Sequence, residues 1–486
     1  MKTLQDILYK VGIEGISGKP SVTVSSLSYD SRTVREGGLY IAQKGTQLDG
    51  HDFIYQAIEN GAHSIICESL PKKCNEGIVY VVVKSAAQAM GVMASNFYDN
   101  PSEKMQLVGI TGTNGKTSIA SLLYNLFSQE GHRCGLVSTV SVKYGEKDIQ
   151  NTHTTPDAIT LNQYLKEMVD LEVSHCFMEV SSHGIAQHRT EGLVFAAGVF
   201  TNLTHDHLDY HGSFKNYRDT KKLFFDTLPK TAFALTNLDD KNGPFMMQNV
   251  KAKKYTYALR QHADYKAQIL ECQFTGMLLK IQNQEVWTSL VGHFNAQNLL
   301  AVYALADLFE LPSIQILKQI SQLKSVEGRF QSFQTTQGIT VIVDYAHTPD
   351  ALEHVLETIN TIRTRNETLF TLLGCGGNRD REKRPKMGQI AAELSDKVIF
   401  TSDNPREENP ATIISEMIEG VPPEHYKKVL KVTLREEAIA MAGQLAKERD
   451  IVLIAGKGHE DYQEIQGKRY PFNDFDLAQQ IFTKTD

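Results

Sequence analysis

A single tryptophan and only six cysteines occur among the 486 residues, and no two cysteines form a C-x-x-C pair. Cys67, Cys74, Cys134, Cys176, Cys272 and Cys375 are scattered along the chain. That spacing argues against a disulfide scaffold or a cysteine-based zinc site and leaves reduced thiols, mostly used for packing. No run of about 18 apolar residues is present, so no membrane-spanning helix is expected, and no secretory pattern follows Met1. An excess of positive charge is missing too. The net charge is -7 and the pI near 6.2, whereas a nucleic-acid binder carries a basic stripe or domain. Internal repeats and low-complexity tracts are also lacking. The expectation is a cytoplasmic globular protein with no nucleic-acid or membrane partner, in which any anionic ligand is held by local features.

What is present is length and alternation. A chain of this size points to about three domains. Early apolar runs such as "GLYIA" and "SIICE" give way to "NFYDNPSEKMQ", a polar, proline-bearing stretch that places a boundary near 103. A second boundary lies near 330, between the helical "SIQILKQISQLKSV" and the strand "GITVIVDYAH". Domains 1–103, 104–330 and 331–486 follow. In the last of these, "LFTLLGCGG", "KVIFTSDNP" and "DIVLIAGKG" are apolar runs that stop at Gly, Asn or Asp with helical stretches between them. That is the signature of a parallel sheet covered by helices.

The stretch "GITGTNGKTS" misses the phosphate-loop pattern G-x-x-x-x-G-K-[ST] by one residue, since Ile110 stands where the opening glycine belongs. Its context is nevertheless that of a phosphate site. The strand "QLVGI" precedes it, and Ile119, Leu122, Leu123, Leu126 and Phe127 then recur at helical spacing until Gly131. A strand-loop-helix turn presents unpaired N–H groups and the positive end of the helix dipole to phosphate. Lys116 can reach terminal phosphates and the Thr117 hydroxyl can ligate Mg²⁺. The strand "CFMEVSSH" delivers Glu179 as a candidate metal carboxylate, the plainer reading being a buried glutamate paired with arginine. "TNLTHDHLDYHG" groups His205, His207 and His211 with Asp206 and Asp209, a set that suits zinc as readily as a Mg²⁺ role.

Together, "TGTNGKTS", "MEVSSHGIAQHR", "TNLTHDHLDYHG", "YRDTK", "GHFNAQN", "VEGR", "VDYAHTPDA", "GCGGNRDREKRP", "DNPR" and "AGKGHEDYQ" resemble the motifs of the Mur ligases, in the family's order and across all three segments. Within the family they look most like the members that add the third residue of the peptidoglycan stem peptide. The resemblance implies an α/β protein of three domains: an N-terminal UDP-sugar-binding domain, a central P-loop-type mononucleotide-binding ATPase domain and a C-terminal Rossmann-like parallel-sheet domain that binds the amino acid. It also implies ATP-driven amide formation on the D-Glu γ-carboxylate of UDP-N-acetylmuramoyl-L-Ala-D-Glu through an acyl phosphate, with a monomer as the family's usual state.

By the same resemblance, Gly112, Thr113, Asn114, Gly115, Lys116, Thr117 and Ser118 hold ATP with Asn298, Asp344 and His347. Thr117, Glu179 and His207 serve Mg²⁺, and Lys221 is the lysine that the family carbamylates with CO₂. The plainer reading of Lys221 is a solvated helix lysine, the role expected of its neighbour Lys222. Thr348 and Pro349 also read as the cap and first turn of a helix carrying Leu352, Val355, Leu356 and Ile359. The UDP-sugar dipeptide is expected along Ser31, Thr46, Gln47 and Leu48, then Thr154, Thr155, Ser181, Gln187 and Arg189, with His153 standing where asparagine is expected. Arg379, the tetrad Asp403, Asn404, Pro405 and Arg406, and Gly456 with Glu460 are expected to hold the amine substrate at the carboxyl ends of strands. "DNPR" is the family's pattern for meso-diaminopimelate, whose distal carboxylate suits arginine, whereas L-lysine has only an ammonium there. The alternatives are the same ligase using L-lysine, a folylpolyglutamate-synthase-like ligase, and an ATP-binding switch without ligase activity.

Overall fold

The computed structural model describes residues 2–45, 48–151 and 153–483. Among the described residues, three large sheets of five, eleven and six strands carry the architecture, with two small two-stranded ribbons beside them. The chain is α/β throughout.

The five-stranded sheet is built from the first segment. Val79–Val83, Ala62–Cys67, Gly38–Ile41 and Leu27–Ser28 run parallel, and Ile13–Ser17 pairs antiparallel at one edge. "GLYI" is buried along its whole length, as expected of a strand covered on both faces.

In the eleven-stranded sheet, the strand before the phosphate loop, Gln106–Thr111, lies between His175–Glu179 and Ala197–Phe200, parallel to both. Register places Glu179 opposite Ile110, so the carboxylate emerges at the edge of the loop. Lys116–Gln129 forms the following helix, and all five residues of its expected apolar stripe are fully buried. Burying each such side chain contributes roughly 1.5–3 kcal/mol, which fixes the helix and therefore the loop. The helix stops at Glu130, and Gly131 takes the left-handed conformation (φ 86°) that favours glycine. Beyond Lys253–Ala258 the sheet continues through Tyr265–Gln273 into antiparallel strands Gly276–Ile281 and Gln284–Thr288, an extension with no counterpart in the sequence reading.

The six-stranded sheet orders its strands Gln331–Gln334, Thr340–Asp344, Ile451–Ala455, Leu369–Leu373, Lys397–Phe400 and Val429–Lys431. All pairs are parallel except that of the first edge strand. Helices cover both faces, with Leu356, Met387 and Ile414 packed on one and Ile439, Ala442 and Phe482 on the other. Helix Pro349–Ile362 starts as its sequence indicates: Thr348 accepts the Ala351 N–H and Pro349 occupies the first turn.

Candidate active site

The phosphate loop is held from behind by the segment after Ala197–Phe200. The Thr113 N–H donates to the Asn202 carbonyl (2.9 Å), the Asn114 N–H donates to Asn202 Oδ1 (2.9 Å), and the Thr201 hydroxyl donates to the Asn114 carbonyl (2.6 Å). Gly112 has φ 147°, and a Cβ there would fall 1.9 Å from Thr201 Oγ1. At Gly115 (φ 88°) a Cβ would lie 2.7 Å from Asn298 Oδ1. Both glycines are therefore required by close approach, and Asn298 lies against the loop. No side chain caps helix Lys116–Gln129, so its positive end is left to a ligand.

Two ammonium groups converge on one carbonyl. Lys116 Nζ donates to Gly112 O (3.0 Å) and Thr113 O (2.7 Å), and Lys221 Nζ donates to the same Gly112 O (2.8 Å). Lys221 is 1% exposed and lies over the Tyr217 ring at 4.8 Å; Tyr217 in turn bonds Thr113 Oγ1 at 3.1 Å. Burial, reinforced by Lys116, holds the Lys221 amine well below its usual value. Burial also lowers Lys116, against the raising influence of Glu179 and Asp206. Lys222 departs from the sequence expectation. It is buried and ion-paired with Asp226 one turn on, because helix Phe214–Asp226 packs on two sides.

Glu179 is 1% exposed, and its Oε1 accepts the Thr139 N–H at 2.7 Å, so the arginine pairing does not occur. The histidine cluster disperses. His211 bonds the Ser182 hydroxyl (3.0 Å), His205 points to Asp380 (3.9 Å), and His207 lies 3.3 Å from Asp206. Burial pushes the His207 imidazole down to about 3, against the pull of Asp206, so it is a neutral ligand or acceptor at pH 7. Among the described residues no three His, Cys, Asp or Glu side chains are grouped to hold a metal.

The third segment and the turn just before it both contact this loop. Asn114 Nδ2 donates to Asp350 Oδ2 (2.9 Å) and Arg329 Nη2 donates to Thr117 Oγ1 (3.1 Å). Arg329 also lies over the Tyr345 ring at 4.5 Å. Asp344 Oδ2 accepts the Phe330 N–H at 2.7 Å, and burial pushes its carboxyl up to about 6. Its visible role is to fasten the turn that carries Arg329. His347 Nδ1 donates to the Tyr345 carbonyl (2.9 Å), and the imidazole is lowered to about 4 by burial and then by Lys383.

Next to Glu179, the residues expected along the dipeptide form a continuous set. Thr155 Oγ1 donates to the Glu179 carbonyl (2.9 Å), and the Ser181 N–H donates to Thr155 Oγ1 (3.0 Å). Thr154 accepts from Thr139 Oγ1 (3.1 Å), and Arg189 donates to the Thr155 carbonyl and twice to Gln187 Oε1 (3.0 and 2.7 Å). His153 is lowered by burial and by Arg189. Ser31 turns its hydroxyl to Gln56 Oε1 (2.7 Å), and Leu48 is exposed. Thr46 and Gln47 lie outside the described residues.

At the strand ends of the six-stranded sheet, the residues expected to hold the amine substrate assemble around glycines. A Cβ on Gly456 (φ 115°) would lie 2.7 Å from Asp403 Oδ2, and one on Gly377 would fall 1.9 Å from the Pro405 carbonyl. Arg379 is exposed beside Gly376, while Arg406 Nη1 donates to Gly377 O (2.9 Å) and its Nε lies 3.4 Å from Glu464. Asn404 Nδ2 donates to Glu460 Oε2 at 2.7 Å. Arg329, Asn202 and Glu464 were not among the expected site residues; Arg329 carried a signal as the last residue of "VEGR" and Asn202 as the second of "TNLTHDHLDYHG".

Three family descriptions cover most of the chain: the Mur ligase family catalytic domain over residues 23–98, the Mur ligase middle domain over 110–306, and the Mur ligase, glutamate ligase domain over 328–458. The chain belongs to the Mur ligase family. This Mur ligase is 50% identical over 479 residues to the UDP-N-acetylmuramoyl-L-alanyl-D-glutamate--2,6-diaminopimelate ligase of Phocaeicola vulgatus, covering 99% of each chain. It is 49% identical to the enzyme of the same name from Bacteroides fragilis, again over 99% of both. A solved structure of a ligase of that name superposes with a TM-score of 0.70 at 32% identity, covering 99% of this chain and 98% of the other. Folylpolyglutamate synthase of Mycobacterium tuberculosis complexed with ADP shares the fold at 17% identity over 76% of this chain, with a TM-score of 0.62.

Proposed function

We propose that this Mur ligase adds meso-2,6-diaminopimelate to the D-Glu γ-carboxylate of UDP-N-acetylmuramoyl-L-Ala-D-Glu, at the expense of ATP, in peptidoglycan precursor synthesis. The observation that carries the reading is the linkage of three parts by hydrogen bonds: the Lys116 loop with Arg329 on Thr117, the Thr154–Arg189 set fastened to the Glu179 carbonyl, and the arginine-flanked loops around Gly456, whose N–H donates to the Asp344 carbonyl at 3.1 Å. Relatives named for this activity are about half identical over nearly the whole chain. We divide the chain at 103 and 330 and assign UDP-sugar, ATP and amino-acid binding to the three parts in that order.

The chemistry follows from the charges. A carboxylate must attack the γ-phosphoryl of a polyanion, breaking the bond to ADP and forming an acyl phosphate; the amine then displaces phosphate. Lys116 and the open helix end gather the triphosphate, and Arg329 orients the Thr117 hydroxyl. Arg189 and its neighbours place the dipeptide carboxylate. The residues present suit Mg²⁺, which takes one or two carboxylates plus phosphate oxygens rather than an all-protein cage: Glu179, Thr117 and His207 would hold it, and it would neutralise charge on the phosphates. A carbamate on Lys221 would replace a repelling ammonium with anionic oxygens. The low-lying Lys221 amine supports this, because only the neutral amine reacts with CO₂. In the amine pocket, Arg379 and Arg406 grip carboxylates while Glu460 meets an ammonium. We place the reaction in the cytoplasm, where ATP and the UDP-linked precursor meet, and assign it to a monomer because one chain supplies every part.

Phosphate release measured with ATP, the UDP-linked dipeptide and diaminopimelate should require all three. Release that continues without the amine would favour an ATPase switch and sink the ligase reading.

A further inference from the structure

Lys457, in the "AGKGHE" loop, is a lysine with 0% side-chain exposure, and it takes no part in the assignments above. Its ammonium has three donors and three acceptors: Glu460 Oε2 at 2.9 Å, Tyr462 O at 2.6 Å and Asn404 Oδ1 at 3.3 Å. Those acceptors belong to three separate pieces of the pocket, namely the loop after Ile451–Ala455, the hairpin Tyr462–Pro471 and the "DNPR" tetrad. The same hairpin also holds the tetrad directly: the Glu464 N–H donates to Asn404 Oδ1 (2.8 Å), Gln463 Nε2 donates to the Asp403 carbonyl (2.6 Å), and backbone bonds run from Arg406 N–H to Glu464 O (3.1 Å) and from Gln466 N–H to Arg406 O (2.8 Å).

We infer that Lys457 is a positioning residue for the amine substrate: it holds the Glu460 carboxylate in place and locks the hairpin and the "DNPR" loop into one pocket wall. The inference rests on the reading of this pocket as the diaminopimelate site. Lys457 Nζ and Asn404 Nδ2 both donate to Glu460 Oε2, which directs the other oxygen to the ligand ammonium. The charge matters as much as the geometry. Glu460, with its side chain 18% exposed, lies beside the buried Asp403, with Tyr345, Tyr462 and Arg435 as its further polar neighbours. Burial and then Asp403 raise its carboxyl, and Lys457 opposes them. Without Lys457, the buried Asp403 and the half-buried Glu460 would share the site with no adjacent ammonium, and Glu460 would take up a proton at higher pH. A protonated Glu460 cannot pair with a substrate ammonium.

The test is steady-state kinetics of Lys457→Met, which keeps the volume and removes the charge. The KM for diaminopimelate should rise about thirtyfold or more, the loss expected on truncating one partner of a buried charge pair, while the KM for ATP stays near that of the wild type. The acid limb of kcat/KM for diaminopimelate should move to higher pH. In a Glu460→Gln background the same substitution should add little, because Lys457 acts through Glu460. If Lys457→Met does not fold, Lys457→Gln, which keeps a donor without the charge, carries the same expectations. Equal losses for ATP and diaminopimelate, an unmoved acid limb, or full additivity with Glu460→Gln would each overturn the inference. A wild-type enzyme that does not use diaminopimelate would instead overturn the pocket assignment, and this inference with it.

Discussion

Replacing Arg406 by alanine separates recognition of diaminopimelate from every other step. The guanidinium is held by Gly377 O at 2.9 Å and faces Glu464 at 3.4 Å, and its backbone is fixed by bonds to and from the hairpin, Arg406 N–H to Glu464 O (3.1 Å) and Gln466 N–H to Arg406 O (2.8 Å). A substrate carboxylate would therefore meet an arginine already oriented. Each hydrogen bond to a charged group is worth about 1.5–3 kcal/mol, so loss of one costs between about tenfold and about 150-fold in kcat/KM for diaminopimelate. Glu464 also loses its partner, but it is partly solvated and can rehydrate. L-Lysine lacks the distal carboxylate, so kcat/KM for L-lysine should change little, and the ratio of the two values should fall by the whole factor. The assay is phosphate release at saturating ATP and UDP-linked dipeptide while each amine is varied in turn. Equal falls for both amines, or a parallel rise in the KM for ATP, would refute the assignment of Arg406 to the distal carboxylate.

Lys221→Ala should abolish turnover, and short carboxylates added to the variant should restore part of it; full activity in the unrescued variant would show that Lys221 is not the modified position. Asp474→Ala should destabilise the last segment by about 3–5 kcal/mol, since it strands a buried charge: Arg435 and Asp474 are both 0% exposed and paired through two bonds of 2.7 Å. A shift in the denaturation midpoint of that segment worth less than about 1 kcal/mol, the range of exposed pairs, would contradict it. His175, packed among Phe127, Phe177 and Phe309, is lowered to about 4 by burial and then by His132. A depressed folded-state value means that the unfolded chain takes up the proton first, so stability is present above about 6.5 and is lost as pH falls toward 4. The thermal midpoint of His175→Phe should therefore drop less between pH 7 and pH 5 than that of the wild type; an identical drop would remove His175 as a contributor.

Features encoded locally were legible from the sequence. The phosphate loop and its helix follow from apolar spacing and two glycines, and the start of helix Pro349–Ile362 follows from Thr348 and Pro349. The loops around Asp403 and Gly456 were found because apolar strands end there. What escaped is tertiary. Arg329 reaches Thr117 from more than two hundred positions away, and the two lysines on Gly112 O come from different helices. Lys222 read as solvated because nothing local signals that its helix is covered on two sides. Lys457 read as one residue of a loop, since its acceptors belong to segments that only folding brings together. The histidine cluster was ambiguous in sequence, and its members diverge in space: His211 goes to Ser182, His205 to Asp380 and His207 to Asp206.

The central claim is that ATP activates the D-glutamate γ-carboxylate for attack by diaminopimelate. Mass spectrometry of one reaction tests it: UDP-N-acetylmuramoyl-L-Ala-D-Glu labelled with heavy oxygen in that carboxylate, ATP, and equal amounts of meso-diaminopimelate, L-lysine and L-ornithine. The nucleotide product should gain diaminopimelate less one water, and the released phosphate should carry one heavy oxygen. Unlabelled phosphate, or a product carrying chiefly lysine or ornithine, would contradict it.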